Sequence, residues 1–331
     1  MKPKIMAEVA QGYEGRPDYA LFYVKAAHKA GADAVKFQIV FADDTAEPGY
    51  EYYEFYKQLE MSLDDWLKVR ALARELGVGF FADISGDRAL EIARQIVPDG
   101  IKIHSSNFFN RNLIRSAFDI ADKVFLSLGG VTVEEIDAVV EEIETWGTKE
   151  NLVLLYGFQA EPTPIELSNI GRIPEFCNRY EGLQIGYMDH TPGDSLEREY
   201  ISIMAMMAGV DWLEKHITID RFMEVEDFVS ALEPVEFKRY VQALEHAANA
   251  IGAGNLDLTK RELEYRDRSV KKLITARKVQ AGTKLKIEDI AFKRTARIAV
   301  GEGFHDPATV VDRIMTKDLD VGMPILEDVF K

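Results

Sequence analysis

The stretch LQIGYMDH, residues 183–190, decides the fold, because it is a short apolar run that ends in polar residues. VDWLEKHI, residues 210–217, has the same form. Short apolar runs that alternate with longer helical patterns are typical of β/α units around a parallel sheet. Six further runs precede these two: KIMAEV (4–9), AVKFQIV (34–40), GFFAD (79–83), GIKIHS (100–105), KVFLSL (123–128) and NLVLLYG (151–157). Eight evenly spaced units favour a closed TIM (β/α)8 barrel over its rival, an open doubly wound sheet.

The segments between the runs carry helix signals. Residues 62–76 open with a Ser-x-x-Asp cap and stop before Gly77, and residues 132–146 open with Thr-x-x-Glu and stop before Gly147. Residues 18–30 end in the same way, before Gly31. A capping residue at the start and a glycine just past the end are typical of helices. Each segment is long enough to connect two parallel strands.

Length and charge limit the classes of function. The chain has 331 residues, which favours one large domain plus a small one. Its net charge of -16 repels nucleic-acid phosphates and acidic membrane surfaces. No apolar run is long enough to span a membrane, the N-terminus does not resemble a signal peptide, and the single cysteine excludes an internal disulfide. We therefore expect a cytoplasmic protein with no nucleic-acid or membrane partner.

The composition changes near residue 255. Residues 256–270 are highly charged and are typical of a linker with some helical tendency. Beyond them, LITARKVQAGTKLKIEDI and MTKDLDVGMPILEDV repeat one pattern of short strand, glycine turn and second strand. The sequence therefore predicts a barrel over 1–255, a linker over 256–270 and a small β-rich domain over 271–331.

Two histidines follow the last two predicted strands. In a TIM barrel the carboxyl ends of the strands form the active-site rim, so His190 and His216 should be neighbours there. Two neutral imidazoles leave coordination positions open, which suits a catalytic metal ion that also binds water and substrate. The alternative is that each histidine merely caps its strand by hydrogen bonding.

Two lysines interrupt apolar strands. Side chains alternate between the faces of a strand, so Lys36 and Lys102 point opposite to their aliphatic neighbours. If those neighbours face the helices, both ammonium groups point into the barrel, where they need a counter-charge. A substrate with a phosphate and a carboxylate would supply it. Internal salt bridges to Glu8 and Asp83 are the alternative.

Several motifs together resemble the sialic acid synthase family, whose members make nonulosonic acids. The resemblance covers essentially the whole chain, and the tail is similar to that family's SAF (antifreeze-like, β-clip) domain. The motifs occur in the family's order: AEVAQGYEG (7–15), AGADAVKFQ (30–38), KIHSSN (102–107), PTP (162–164), IGYMDHT (185–191), LEKHIT (213–218), DFVSALEP (227–234) and KRTAR (293–297).

The resemblance implies a reaction and an assembly. The reaction is the condensation of phosphoenolpyruvate with an N-acetylated amino sugar such as N-acetylmannosamine, assisted by a divalent metal, Mn²⁺ or Mg²⁺. The assembly is a domain-swapped homodimer in which the SAF domain covers the partner's active site. Under this resemblance His190 and His216 hold the metal, and Lys36 and Lys102 bind phosphoenolpyruvate.

The resemblance also implies roles for other residues. Glu8 would lie near the acceptor sugar, or else simply neutralise Lys36, and Asp189 would orient an imidazole or receive a proton. Asp227 would hold sugar hydroxyls, unless it is only an exposed loop acid. The remaining implied contacts to substrate are Ser105 and Ser127 to the phosphate, Gln159 in place of a family asparagine, and Arg294 to the acceptor's N-acetyl group from the other protomer.

The chain departs from the family pattern at several polar positions. Asp83 replaces a hydroxyl-bearing phosphate contact, and Met188 replaces a serine. Asn107 stands where the family has a glutamate proposed for proton transfer, and an amide is neither a general acid nor a base. Three hypotheses follow: a divergent nonulosonic acid synthase, another enzyme that forms carbon-carbon bonds with altered donor chemistry, or a catalytically silent sugar-binding protein.

Overall fold

The computed structural model describes residues 2–299 and 301–331. The chain divides into two compact units, Met1–Gly252 and Ala253–Lys331. The segment expected to be a linker, residues 256–270, contains a helix at Lys260–Ser269. The exact domain limits drawn from the sequence stay a prediction.

The first unit contains a closed barrel of eight parallel strands that follow one another in chain order. The barrel closes where β1 pairs with β8, with Glu8 opposite His216. All eight apolar runs form strands, so the predicted barrel is confirmed and the open sheet is excluded. The strands are β1 Lys4–Ala10, β2 Ala34–Ile39, β3 Gly79–Ile84, β4 Gly100–Ile103, β5 Val124–Ser127, β6 Leu152–Tyr156, β7 Gln184–Asp189 and β8 Trp212–His216.

Helices connect the strands and begin where the sequence signals predict. The side chain of Ser62 accepts a hydrogen bond from the Asp65 backbone N–H, and Thr132 forms a capping box with Glu135. The helices are α1 Pro17–Ala30, α2 Ala42–Thr45, α3 Tyr53–Gln58, α4 Leu63–Leu76, α5 Asp87–Ile96, α6 Arg111–Phe118, α7 Val133–Thr145, α8 Arg172–Arg179, α9 Glu197–Met207, α10 Pro234–Ile251 and α11 Lys260–Ser269. None of the helices in the described part of the chain combines the length and apolar character that a membrane span requires.

The barrel interior is layered. Large apolar side chains fill its lower part, where Phe125 lies 5.4 Å from Phe81 and 5.1 Å from Trp212 between ring centroids. Because side chains alternate along a strand, the next inward residue is two positions further on. Those next positions carry charged groups on β2, β3 and β8, at Lys36, Asp83 and Glu214. The polar layer therefore rests on an apolar floor, at the end of the barrel where the strands finish.

The second unit is small and β-rich. Its strands β9 Lys272–Thr275 and β10 Ile290–Lys293 pair antiparallel. The sequence repeat is visible in the structure, because each copy ends in a 3-10 turn, at Ile287–Asp289 and Glu327–Val329. Val279 and Leu319, at matching positions of the two copies, form a β-bridge and share one apolar core. Its assignment as a SAF domain stays a prediction.

Candidate active site

A buried ionic cluster lies inside the barrel, directly above the apolar floor. Lys36 and Lys102 both point inward, and their side chains are 0% and 3% exposed. Glu214 bridges them, with its carboxylate oxygens 3.2 Å from Lys36 Nζ and 2.8 Å from Lys102 Nζ. Lys36 also contacts Glu8. Internal carboxylates therefore meet both ammonium groups.

Asp83 completes the cluster at longer distances. Its Oδ2 lies 3.9 Å from Lys36 Nζ and 3.7 Å from Lys102 Nζ. This oxygen is buried and accepts no hydrogen bond from the described residues. The cluster thus holds three carboxyl groups against two ammonium groups.

The charges of the cluster depend on one another. Burial raises the pKa of Glu8 to about 8, against the opposing pull of Lys36. Burial alone would also raise the pKa of Glu214, but Lys102 and Lys36 together lower it. Burial alone would lower the pKa of Lys102, but Glu214 and Asp83 together raise it. The two lysines therefore favour the charged form of Glu214, whereas burial favours the neutral form of Glu8.

The two histidines are neighbours on the rim. His190 follows β7 and His216 ends β8, and their ring centroids are 5.0 Å apart. Two hydrogen bonds fix the backbone of His190, because its carbonyl accepts from the Thr163 N–H and from the Ser230 hydroxyl. The sequence prediction that these imidazoles converge is confirmed by this distance.

Glu161 joins the histidines and makes a group that can hold a metal ion. One ligand atom from each of Glu161, His190 and His216 lies within 4.8 Å of the other two. Glu161 Oε1 is 3.4 Å from His190 Nε2. Sequence reasoning missed Glu161; its position in the loop after the sixth strand was the available signal, but acidic residues are common in such loops.

The two imidazoles are in the protonation state that a metal ion requires of its ligands. Burial lowers the pKa of His190 to about 4, and burial together with His190 lowers the pKa of His216. Both rings are therefore neutral at pH 7, as metal ligands must be. His190 Nδ1 is buried without a hydrogen-bond partner among the described residues. Burial, and to a smaller extent Asp227, raises the pKa of Glu161 to about 8.

The predicted phosphate contacts form one patch on neighbouring strands. The Ser105 hydroxyl donates to Gln159 Oε1 over 3.4 Å. The Ser127 hydroxyl lies 3.8 Å from the Met188 sulfur, and Gln159 Nε2 lies 3.6 Å from the same sulfur. Met188 therefore takes hydrogen bonds that these two side chains could otherwise give to a ligand.

Asp189 faces away from this centre, and Arg294 belongs to the second unit. The Asp189 carboxylate accepts hydrogen bonds from Lys215, Ser202 and Thr191, on the helix-facing side of β7. No imidazole is among its described partners, because alternation along β7 sends it away from the barrel interior. Arg294 is an exposed residue of the second unit, just after β10. The roles predicted for both residues stay predictions.

Two cavities open at the carboxyl ends of the strands. The smaller, of about 160 Å³, is lined by the metal-ligand group together with Glu8, Lys102 and Glu214. The larger, of about 480 Å³, is lined by residues of the loops after β2, β3 and β4, including Asn107. Gln38, His104 and Asp227 line both. The two cavities therefore adjoin, and Asp227 stands between them.

Comparison with known proteins places this architecture in a family. The NeuB family model matches residues 23–256, which is most of the chain and nearly all of the barrel. The chain belongs to the NeuB family.

Relatives of this NeuB-family chain span nearly its whole length. It is 24% identical to the N,N'-diacetyllegionaminic acid synthase of Legionella pneumophila, covering 97% of this chain and 93% of the relative. It is 26% identical to a pseudaminic acid synthase of Campylobacter jejuni, covering 99% and 96%. A crystal structure of N-acetylneuraminic acid synthetase from Leptospira borgpetersenii matches with a TM-score of 0.72 at 26% identity, over 81% of this chain and 92% of that one. These relatives indicate an enzyme that acts on small molecules in nonulosonic acid biosynthesis.

Glu214 is a second functional residue that sequence reasoning missed in this NeuB-family chain. It lies two positions before His216 on β8, so the alternation that sends His216 inward sends Glu214 inward as well. That signal was present in the sequence of β8. Glu214 instead pairs with lysines from two other strands, 178 and 112 residues earlier in the sequence.

Proposed function

We propose that this chain condenses phosphoenolpyruvate with an N-acetylated amino sugar to form a nonulosonic acid, as a transferase that makes a carbon-carbon bond. The observation that carries the proposal is the stacking of two layers in one NeuB-family barrel. Inward-pointing Lys36 and Lys102 lie below, and the neighbouring imidazoles of His190 and His216 lie on the rim. A donor with two anionic groups fits the lower layer, and a carbonyl acceptor fits the rim.

The donor would lie across the barrel from β2 to β6. Its carboxylate and phosphate would replace part of the carboxylate contact that the two lysines now make with Glu8, Asp83 and Glu214. Ser105, Ser127 and Gln159 would donate hydrogen bonds to the same anion. Their present contacts, to one another and to the Met188 sulfur, are weak enough to be exchanged for charged acceptors.

A divalent cation would be held by His190, His216 and Glu161, and when bound it would polarise the carbonyl of the acceptor. Two nitrogen donors and one oxygen donor favour Mn²⁺ over Mg²⁺, since Mg²⁺ prefers oxygen ligands alone. The acceptor itself would extend into the larger cavity, where Asp227 faces both spaces and can bind its hydroxyl groups.

Condensation joins C3 of phosphoenolpyruvate to the acceptor aldehyde carbon, water adds at C2, and phosphate leaves. The aldehyde oxygen becomes a hydroxyl group and needs a proton. Asn107 cannot give one. Glu8 lines the smaller cavity and burial favours the protonated form of its carboxyl group, so we propose this carboxyl group as the donor. Asp189 does not suit this role, because its carboxylate is paired with the Lys215 ammonium group.

The homodimer belongs to the same proposal. In it, Arg294, an exposed residue of the small unit, would reach from one copy to the acceptor bound by the other. Sedimentation of the full chain tests the assembly independently of the chemistry.

The proposal is tested by mixing the protein with Mn²⁺, phosphoenolpyruvate and a panel of N-acetylated hexosamines and measuring inorganic phosphate. We expect phosphate release that requires the metal and both substrates. Release without a sugar would indicate a phosphatase. Metal and sugar binding without any release would indicate the silent sugar-binding protein instead.

A second candidate, another carbon-carbon bond-forming enzyme with a different donor, is favoured by Asp83. Its side chain lies within 4 Å of both lysines, so Asp83 adds a third acidic group, after Glu8 and Glu214, beside the two ammonium charges that a phosphate would need. A donor with one anionic group would fit such a site more easily than phosphoenolpyruvate.

Replacing Asp83 with asparagine separates these two candidates. For phosphoenolpyruvate we expect the KM to fall by roughly tenfold, because the change removes one buried negative charge beside the donor site. The measurement is the KM for phosphoenolpyruvate at saturating sugar, with the exposed Asp122→Asn as the control. An unchanged or higher KM in Asp83→Asn would favour the alternative donor.

A further inference from the structure

His104 stands at the junction of the two cavities. It lines both of them, together with Gln38 and Asp227. It directly follows β4, two positions after Lys102, and its backbone is still extended, with φ -65° and ψ 154°. Because side chains alternate along extended backbone, the alternation that sends Lys102 into the barrel sends His104 inward as well. The imidazole therefore occupies the next inward position above the ionic cluster.

A hydrogen bond to the backbone fixes the tautomer of His104. Its Nδ1 accepts from the Ser106 N–H over 3.2 Å and lies 3.0 Å from the Ser106 hydroxyl. Burial lowers the pKa of His104, so the ring is neutral at pH 7 and carries one hydrogen. Because Nδ1 is an acceptor, that hydrogen is on Nε2. His104 is thus held as a hydrogen-bond donor.

The Nε2–H group of His104 is free to bind a ligand. Among the described residues the ring makes hydrogen bonds only to Ser106, through Nδ1, and it is not part of the metal-ligand group. The other side chains at the junction differ from it. The Asp227 carboxylate accepts only, and the amide oxygen of Gln38 already accepts from Gln11 Nε2 over 2.8 Å. The junction therefore presents an N–H donor beside a carboxylate.

We propose that His104 Nε2–H donates a hydrogen bond to the carbonyl oxygen of the acceptor's acetamido group, and that this contact selects an N-acetylated sugar. The inference rests on the proposed function for the direction in which the acceptor lies. With the aldehyde at the metal-ligand group, the substituent on the next carbon is the first to reach the junction, and in an N-acetylated 2-amino sugar it is the acetamido group. Its carbonyl oxygen has two lone pairs, so the contact predicted for Arg294 can share it.

The test combines two ligands with two proteins. The ligands are the N-acetylated hexosamine of the panel that binds most tightly and the same sugar with hydrogen in place of its acetamido group. Their affinities for the wild type and for His104→Ala are measured by calorimetry with Mn²⁺ and without phosphoenolpyruvate, so that no turnover is required. In His104→Ala we expect the N-acetylated sugar to bind about fivefold more weakly, and the other sugar to change by less than about twofold.

A further variant separates the hydrogen bond from the packing of the ring. His104→Phe keeps a planar ring but has no donor, so it should also lose about fivefold in affinity for the N-acetylated sugar. His28→Ala, on the exposed side of α1, is the control and should change neither affinity.

The outcomes separate this inference from the proposed function. An equal loss of affinity for both sugars in His104→Ala, or wild-type affinity in His104→Phe, would overturn the inference even if condensation occurs. The expected selective loss, without any phosphate release once phosphoenolpyruvate is added, would support the role of His104 and contradict the synthase. Failure of every N-acetylated sugar to bind would contradict both.

Discussion

Replacing His216 with alanine is expected to lower metal-dependent turnover by roughly 100-fold or more while the barrel stays folded. The imidazole is one of three donors that meet at the rim, together with His190 and Glu161. Its removal leaves one nitrogen and one carboxylate, which bind a divalent cation weakly. The ring also ends its strand, so its loss leaves no large gap in the apolar core.

The measurement is the Kd for Mn²⁺ and the rate of phosphate release in wild type and His216→Ala, with circular dichroism to verify folding. His246→Ala, on the exposed side of α10, is the control. We expect both affinity and rate to fall together in His216→Ala, and the rate to recover partly at high Mn²⁺. An unchanged rate would remove His216 from the metal site.

Replacing Lys215 with methionine is expected to destabilise the barrel by about 3–5 kcal/mol. Lys215 and Asp189 are both 0% exposed, with Nζ 3.1 Å from Oδ1. Burial opposes both charges: it lowers the pKa of Lys215, and it would raise that of Asp189 if Lys215, Ser202 and Thr191 did not lower it. Without the ammonium group Asp189 becomes an unpaired buried charge.

Denaturant unfolding of Lys215→Met measures this loss, with exposed Lys238→Met as the control. The double variant Lys215→Met with Asp189→Leu should recover most of the stability, because no buried charge then lacks a partner. A loss below about 1 kcal/mol in the single variant would mean that the pair does not stabilise the fold.

The fold could be predicted from the sequence because each strand carries its own signal. The apolar runs, the caps at Ser62 and Thr132 and the glycines that end the helices act locally, and eight repetitions point to closure. Alternation also gave the inward direction of Lys36 and Lys102, and the chain order of the strands gave the neighbouring histidines.

The rest of the site depends on contacts between distant strands. Glu161 reaches His190 only through the path of a loop, and Glu214 finds its two lysines across the barrel. Asp189 is the reverse case. It is adjacent to the rim histidine His190 in the sequence, but its side chain faces the helices and not the site. Alternation applied to every residue of β7 and β8, and not only to the histidines, would have indicated both Glu214 and Asp189.

The most direct test of the synthase is to follow carbon-13 at C3 of phosphoenolpyruvate by NMR, with Mn²⁺ and an N-acetylated hexosamine present. We expect the vinyl carbon signal to be replaced by that of a methylene carbon bonded to the former aldehyde carbon of the sugar. Its appearance should require both substrates and His216. Conversion of the label to pyruvate alone, or no conversion with any sugar of the panel, would contradict the account.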